Sequence, residues 1–172
     1  MKTLILEREI FVRKASLALL LILNFIIFSC DDDEPQALEP FEIELEQLKQ
    51  AVDRFKDIDV AKAEGYDVDV TGYRKGMGHH FLKASILDGS FEITKPEVLL
   101  YVPNNGGGWD FVAVEYGIPI ADLDNPQPAP EGFTGDQDVW EISEEFSLWT
   151  LHAWIVMENP EGVFAPMNPK LP

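Results

Sequence analysis

Cysteine is nearly absent from this chain: Cys30 is the only one in 172 residues. A solitary cysteine excludes both a disulfide framework and a thiolate metal cluster. Cations are scarce as well, with 13 Lys and Arg against 31 Asp and Glu and a formal net charge of −18. Such a surplus repels phosphate backbones, which excludes nucleic acid as a partner, and protein charge cannot hold the chain on an anionic membrane. The longest apolar run, Leu17 to Phe28, is interrupted by Asn24. It is too short to span a hydrocarbon core of ~30 Å as a permanent helix. There is no Gly-x-Ser-x-Gly nucleophile elbow, and Gly106-Gly107-Gly108 opens a strand rather than the helix a phosphate loop requires. Asp67-Val-Asp-Val-Thr-Gly72 copies the start of a calcium loop, but the twelfth position is Gly78, where a bidentate glutamate is needed.

What is present begins with the leader. Lys2, Arg8, Arg13 and Lys14 precede the apolar run, and the small residue Ser29 ends it. That order is a secretory signal over residues 1–29. Ile27-Phe28-Ser29-Cys30 resembles the lipobox of bacterial lipoproteins, in which the cysteine is lipidated and becomes the mature N-terminus. The acidic run Asp31-Asp32-Asp33-Glu34 resembles their surface-export signals. The resemblance implies a membrane anchor through lipidated Cys30 and a location in the cell envelope, at the outer membrane or the cell surface. More than one acyl chain is needed for stable anchoring, and full processing of such a cysteine supplies it. After Ser29, nine cations face 29 acids, so the mature chain carries about −20.

Residues 30–40 combine high charge with two prolines and read as a disordered tether. Residues 41–172 then suffice for one domain with one core. Phe41, Leu45, Leu48, Val52 and Phe55 recur at helical spacing, with charged residues between them. A second short helix is expected over 60–64, with Asp59 as N-cap and Gly65 as its stop. Beyond Gly65 the pattern turns to strand: Tyr66, Val68 and Val70 alternate with acids, 79–87 is a further candidate, and Glu97–Val102 and Trp109–Tyr116 form a hairpin across Pro103-Asn-Asn-Gly-Gly-Gly108. Residues 122–138 hold three prolines and read as a long ordered loop, and Leu148–Met157 is the last apolar element. No βαβ rhythm appears. The expected fold is therefore α+β, with N-terminal helices packed on an antiparallel sheet or partial barrel.

Polar residues inside apolar strands mark the candidate site. Alternation places His80 with Leu82, Ala84 and Ile86, and His79 on the opposite face. His152 is apolar-flanked on both sides, and Glu115 follows Trp109, Phe111 and Ala113 on one face. A buried carboxylate must be paired, hydrogen-bonded, metal-bound or protonated. Two histidines and a carboxylate match the ligands of zinc, or of iron with open positions. His80, Glu115 and His152 are thus the candidate metal ligands, with Trp109, Phe111, Trp149 and Trp154 as expected pocket walls. The alternative is three unrelated residues, with Glu115 paired to Arg74. Asp122 with Asp124, or Asp136 with Asp138, are weaker calcium candidates that also read as solvated loop acids.

Three stretches carry a further resemblance: Gly76-Met-Gly-His-His80; Lys95-Pro-Glu-Val-Leu-Leu-Tyr101 with Val112-Ala-Val-Glu-Tyr116; and Leu151-His-Ala-Trp154 with Asn159-Pro-Glu-Gly-Val-Phe164. Together they resemble an uncharacterised family of secreted and lipoprotein domains, over most of residues 60–169. The resemblance favours these residues, His80 among them, as a site and names no reaction. Three function classes stay open: a lipid-anchored domain with a small polar pocket for a ligand or metal ion, a metal-dependent or His/Glu acid–base enzyme acting on a small molecule, and a non-catalytic acidic adaptor for a protein partner.

Overall fold

A computed structural model describes residues 37–171; the leader, Cys30 and residues 31–36 of the expected tether lie outside that range. The first helix, α1, runs Pro40–Val52, beginning on the last residue of the expected tether. Proline suits the first helical turn because its missing N–H would have no partner there. Glu39 caps the end reciprocally with Glu42: the Glu39 backbone N–H donates to Glu42 Oε2 at 2.7 Å, and the Glu39 carboxylate accepts from the Glu42 backbone. Leu45, Leu48 and Val52 are buried, and a 3-10 turn over Asp53–Lys56 carries the stripe on to Phe55. The second helix, α2, spans Ile58–Ala63 and starts earlier than expected. Its cap is Asp57, not Asp59: the Asp57 carboxylate accepts the Asp59 N–H at 2.9 Å. Gly65, at φ +100°, follows its end.

The remaining chain forms six antiparallel strands: β1 Val68–Asp69, β2 His79–Leu82, β3 Val98–Pro103, β4 Trp109–Pro119, β5 Glu141–Ser143 and β6 Leu148–Ala153. Their order is β1-β2-β3-β4-β6-β5, an open sheet, so the fold is mixed α+β. Two expectations need correction. The strand beginning at His79 stops at Leu82 and gives way to a 3-10 turn over Ala84–Ile86, so Ala84 and Ile86 do not continue the His80 face. Of residues 66–70 only Val68 and Asp69 pair as strand. Among the described residues, no helix is long and apolar enough to cross a membrane.

Alternation along β3 separates two apolar clusters. Leu99 and Tyr101 belong to the larger, which also contains Leu48, Val52, Phe55, Ala61, Phe81, Tyr116 and Leu151. The Tyr101 hydroxyl donates to the Phe55 carbonyl at 2.6 Å, satisfying a buried polar pair inside that cluster. Val98 and Leu100 point the other way, with Ala113, Trp154 and Leu171.

The β3–β4 hairpin turns where Asn104 accepts the N–H groups of Gly106 and Gly108, while Gly107 takes φ +80°. Within its ladder Leu100 faces Ala113 but Tyr101 faces Phe111, leaving Val112 as the extra residue of a β-bulge. The bulge switches the side-chain parity of β4. Phe111 therefore belongs to the cluster of Tyr101, and Ala113 to that of Leu100. The expected sharing of one face by Trp109, Phe111 and Glu115 is broken at this point.

Candidate metal centre and its cavity

His80 owes its position to a tight loop. Arg74 and Gly78 bond each other's backbone in both directions at 2.8 Å, and Gly78 sits at φ +98°. A Cβ at Gly78 would lie 2.6 Å from the Tyr101 carbonyl oxygen, so only glycine lets β2 leave the loop this close to β3. The two histidines then diverge. His79 Nδ1 pairs with Asp69 Oδ2 at 2.8 Å, and its ring meets Trp109 edge-on at 4.8 Å. His80, only 4% exposed, points to the opposite face.

On that face the strands bring together Leu82, Val98, Glu115 and His152 as successive cross-strand neighbours. His80 lies one pleat along from Leu82, and its side chain reaches across β3 toward Glu115 on β4. His80 Nε2 is 3.7 Å from Glu115 Oε2, and His152 Nε2 is 3.8 Å from Glu115 Oε1. The two imidazoles stand nearly perpendicular, with ring centres 6.0 Å apart. One ligand atom from each of the three lies within 4.8 Å of the other two.

These separations exceed a good hydrogen bond, so the three groups do not satisfy one another. His152 Nε2 is buried with no hydrogen-bond partner among the described residues. His80 is held from behind: Thr71 Oγ1 lies 2.9 Å from its Nδ1, and the same hydroxyl donates to the Gly72 carbonyl at 2.7 Å. With its proton committed there, the hydroxyl accepts from Nδ1–H, and the lone pair of His80 is on Nε2, facing Glu115. An outer partner that sets the tautomer in this way is the usual support of a metal-binding imidazole. Ligands ~2.0–2.2 Å from one ion stand roughly 3.4 Å apart in a tetrahedral shell, near the two separations from Glu115. His80, Glu115 and His152 thus have the ligand types and spacing to hold a metal ion.

The electrostatics follow from burial. Loss of water pushes His152 down to about 3 and His80 down to about 4, with Arg74 and His79 adding to the effect at His80. Both imidazoles are neutral at pH 7, the form that ligates. Burial pushes Glu115 up to about 8, against the opposing effect of the Thr150 hydroxyl. A carboxylate with no cation beside it meets this penalty, and a bound cation would remove it.

The three side chains line a cavity of about 300 Å³. Its apolar lining is Val70, Met77, Leu82, Leu87, Val98, Ile142, Phe146 and Leu148, and Thr71, Arg74, Glu141, Ser143, Glu145 and Thr150 add polar groups. None of the four expected aromatic walls is among them. Trp109 and Phe111 lie across the bulge in the other cluster. Trp149 alternates away from His152, and its indole N–H donates to the Gln127 carbonyl. Trp154 stands behind the site, stacked on the His152 ring at 6.2 Å, with its own N–H bonded to the Ala165 carbonyl. Arg74 does not pair with Glu115; it pairs with Glu145 at 2.6 Å.

Neither aspartate pair joins a group of three potential ligands among the described residues. Asp138 is taken up by the Phe133 N–H, and Asp122 by the Asp124 N–H. Sequence reasoning passed over Thr71, Thr150 and the Arg74–Glu145 pair, whose polar types are ordinary for loops and strand ends. Glu97 was legible, being a carboxylate at the head of an apolar run, and it immediately precedes β3. It is 1% exposed, accepts the Gly117 N–H at 3.1 Å, and is pushed up to about 7 by burial. Comparison of the chain with protein-family models, curated proteins and solved structures gives no match.

Proposed function

We propose that this chain is a lipid-anchored cell-envelope protein in which His80, Glu115 and His152 hold a divalent ion, zinc or iron, in a small-ligand pocket. The observation that carries the reading is the buried Nε2 of His152, without a hydrogen-bond partner among the described residues and 3.8 Å from the Glu115 carboxyl. Buried polar groups of this kind require a partner, and one cation supplies it to all three at once. In this arrangement the helices cover one face of the sheet, leaving the other face for the site. Anchoring through Cys30 and the tether over residues 30–40 rests on the leader pattern, and the acidic surface leaves the lipid as the means of attachment.

A second reading, a metal-dependent or His/Glu acid–base enzyme, draws support from the cavity that the ligands line. When bound with an open position, such an ion polarises a ligand oxygen or activates water. The protein's own contribution is to keep both imidazoles neutral, orient His80 through Thr71, and surround the site with apolar walls. An adaptor for a protein partner has no need of a buried His/Glu group.

The test is elemental analysis of the full chain purified without a histidine tag, combined with thermal melts with and without added zinc. One bound ion per chain and a rise in melting temperature with zinc are expected, about 2.7 kcal/mol of stabilisation at a hundredfold excess over Kd. His152→Ala should remove both. A wild-type protein that holds no metal and melts unchanged in zinc or ferrous iron overturns the proposal.

A further inference from the structure

The cavity is closed by residues that come from the two ends of the sheet. Thr71, Arg74 and Met77 belong to the connection between β1 and β2, at one end of the strand order. Ile142, Glu145 and Phe146 belong to β5 and its turn into β6, at the other. The two ends meet through the Arg74–Glu145 ion pair, which joins residues 71 positions apart. Among the described residues, Arg74 is the one lysine or arginine that lines this cavity, in a chain of net charge −18.

We infer that Arg74 selects the ligand of this pocket, and that the ligand is a small carboxylate with an apolar body, its head group taking the place that Glu145 holds on the guanidinium. The inference deepens the pocket reading above and rests on it. Glu145 already demonstrates the geometry: a carboxylate oxygen sits 2.6 Å from the Arg74 Nη2 at the cavity lining. Both partners are substantially exposed, with side chains 42% and 59% accessible. An ion pair in that environment contributes little to stability, so exchange of one carboxylate for another costs the fold little. Arginine also offers a planar fork that matches a carboxylate with two parallel bonds, whereas this structure shows Glu145 engaging one nitrogen. A free carboxylate can improve on that contact.

The walls specify the rest. Val70, Leu82, Leu87, Val98, Ile142 and Leu148 offer surface to an aliphatic or aromatic body, while the lining also carries the hydroxyls of Thr71, Ser143 and Thr150 and the Glu141 carboxyl. About 300 Å³ admits a body of a few carbons, not a long acyl chain. The surrounding negative field disfavours anions at a distance, so the local cation has to do the discriminating.

The experiment titrates hexanoate and, as the uncharged match, hexanol into the full chain by calorimetry, with metal content measured on the same samples. Hexanoate should bind at least tenfold more tightly than hexanol. Arg74→Gln should lose that preference while keeping its metal, and Glu145→Gln, which frees the guanidinium, should bind hexanoate several-fold more tightly. Equal binding of the two probes to wild type, or no gain in Glu145→Gln, overturns the inference. So does hexanoate binding that survives Arg74→Gln but disappears in His152→Ala, since the head group would then sit on the ion. Hexanoate selectivity in a protein that takes up no metal sustains the role of Arg74 and overturns the metal centre instead.

Discussion

Glu115 and His152 face each other directly across β4 and β6, with Oε1 and Nε2 3.8 Å apart and no hydrogen bond between them. A cross-strand pair at this distance is close enough to share an ion and too far apart to share a proton well. Glu115→Gln keeps the size and hydrogen-bonding capacity of the side chain and removes its ability to carry charge. Metal-free Glu115→Gln should melt within a few degrees of wild type, whereas its zinc-induced rise should vanish. A large loss of stability without metal would mean that the carboxylate serves the fold and not an ion.

Phe55 is 2% exposed, its ring meets Tyr66 at 5.0 Å, and its carbonyl accepts the Tyr101 hydroxyl. Truncating a buried Phe typically costs ~3–5 kcal/mol, a large share of the ~5–15 kcal/mol by which a domain is stable. Phe55→Ala should therefore lower the urea midpoint severely. A shift too small to resolve would remove the helical stripe from the core.

Gly78→Ala places a methyl 2.6 Å from the Tyr101 carbonyl in a backbone at φ +98°. Both the contact and the conformation oppose it, and neither the strand nor the Arg74 loop can yield without moving His80. We expect loss of zinc uptake together with a lower melting temperature. By contrast Gly72→Ala, which meets nothing within 4 Å, should suffer only the backbone strain of its positive φ.

Glu97 contributes to the pH dependence from outside the site. Its folded-state value of about 7 lies above the ordinary carboxylate value of 4.5, so between these limits the folded chain holds a proton that the unfolded chain releases. Stability from this group is present at pH 4.5 and is lost as pH rises through 7, by roughly 3 kcal/mol at ~1.4 kcal/mol per pH unit. Glu97→Gln should reduce the slope of the stability profile between pH 5 and 7 relative to wild type, the remaining slope coming from Glu115, which burial also pushes up. Parallel profiles for the two proteins would show that Glu97 ionises freely.

Cys30→Ser should release the chain from the membrane fraction into the soluble one. An unchanged distribution would rule out lipid anchoring at this residue.

How much of this was legible follows from the range of the forces involved. Helical spacing from Phe41 to Phe55 and alternation through Val98–Val102 are local, because each side chain's direction is set by its neighbours' backbone angles. The Asn-Gly turn at 104–108 is local for the same reason. His80, Glu115 and His152 were marked by chemistry alone, as polar residues in apolar strands. The alternation rule fails at Val112, since one inserted residue reverses the facing of everything before it and leaves no local signature, so alternation alone puts Trp109 and Phe111 on the wrong side.

The sequence by itself determined the helical stripe, the hairpin, the acid surplus and the three polar residues that need partners. Only tertiary structure decided that β4 lies beside β6, which sets Glu115 opposite His152, and that β1–β2 and β5–β6 meet through Arg74 and Glu145. Strand order and register depend on contacts between residues dozens of positions apart. Their energies exist only once the chain has closed those loops, so no window along the sequence contains them.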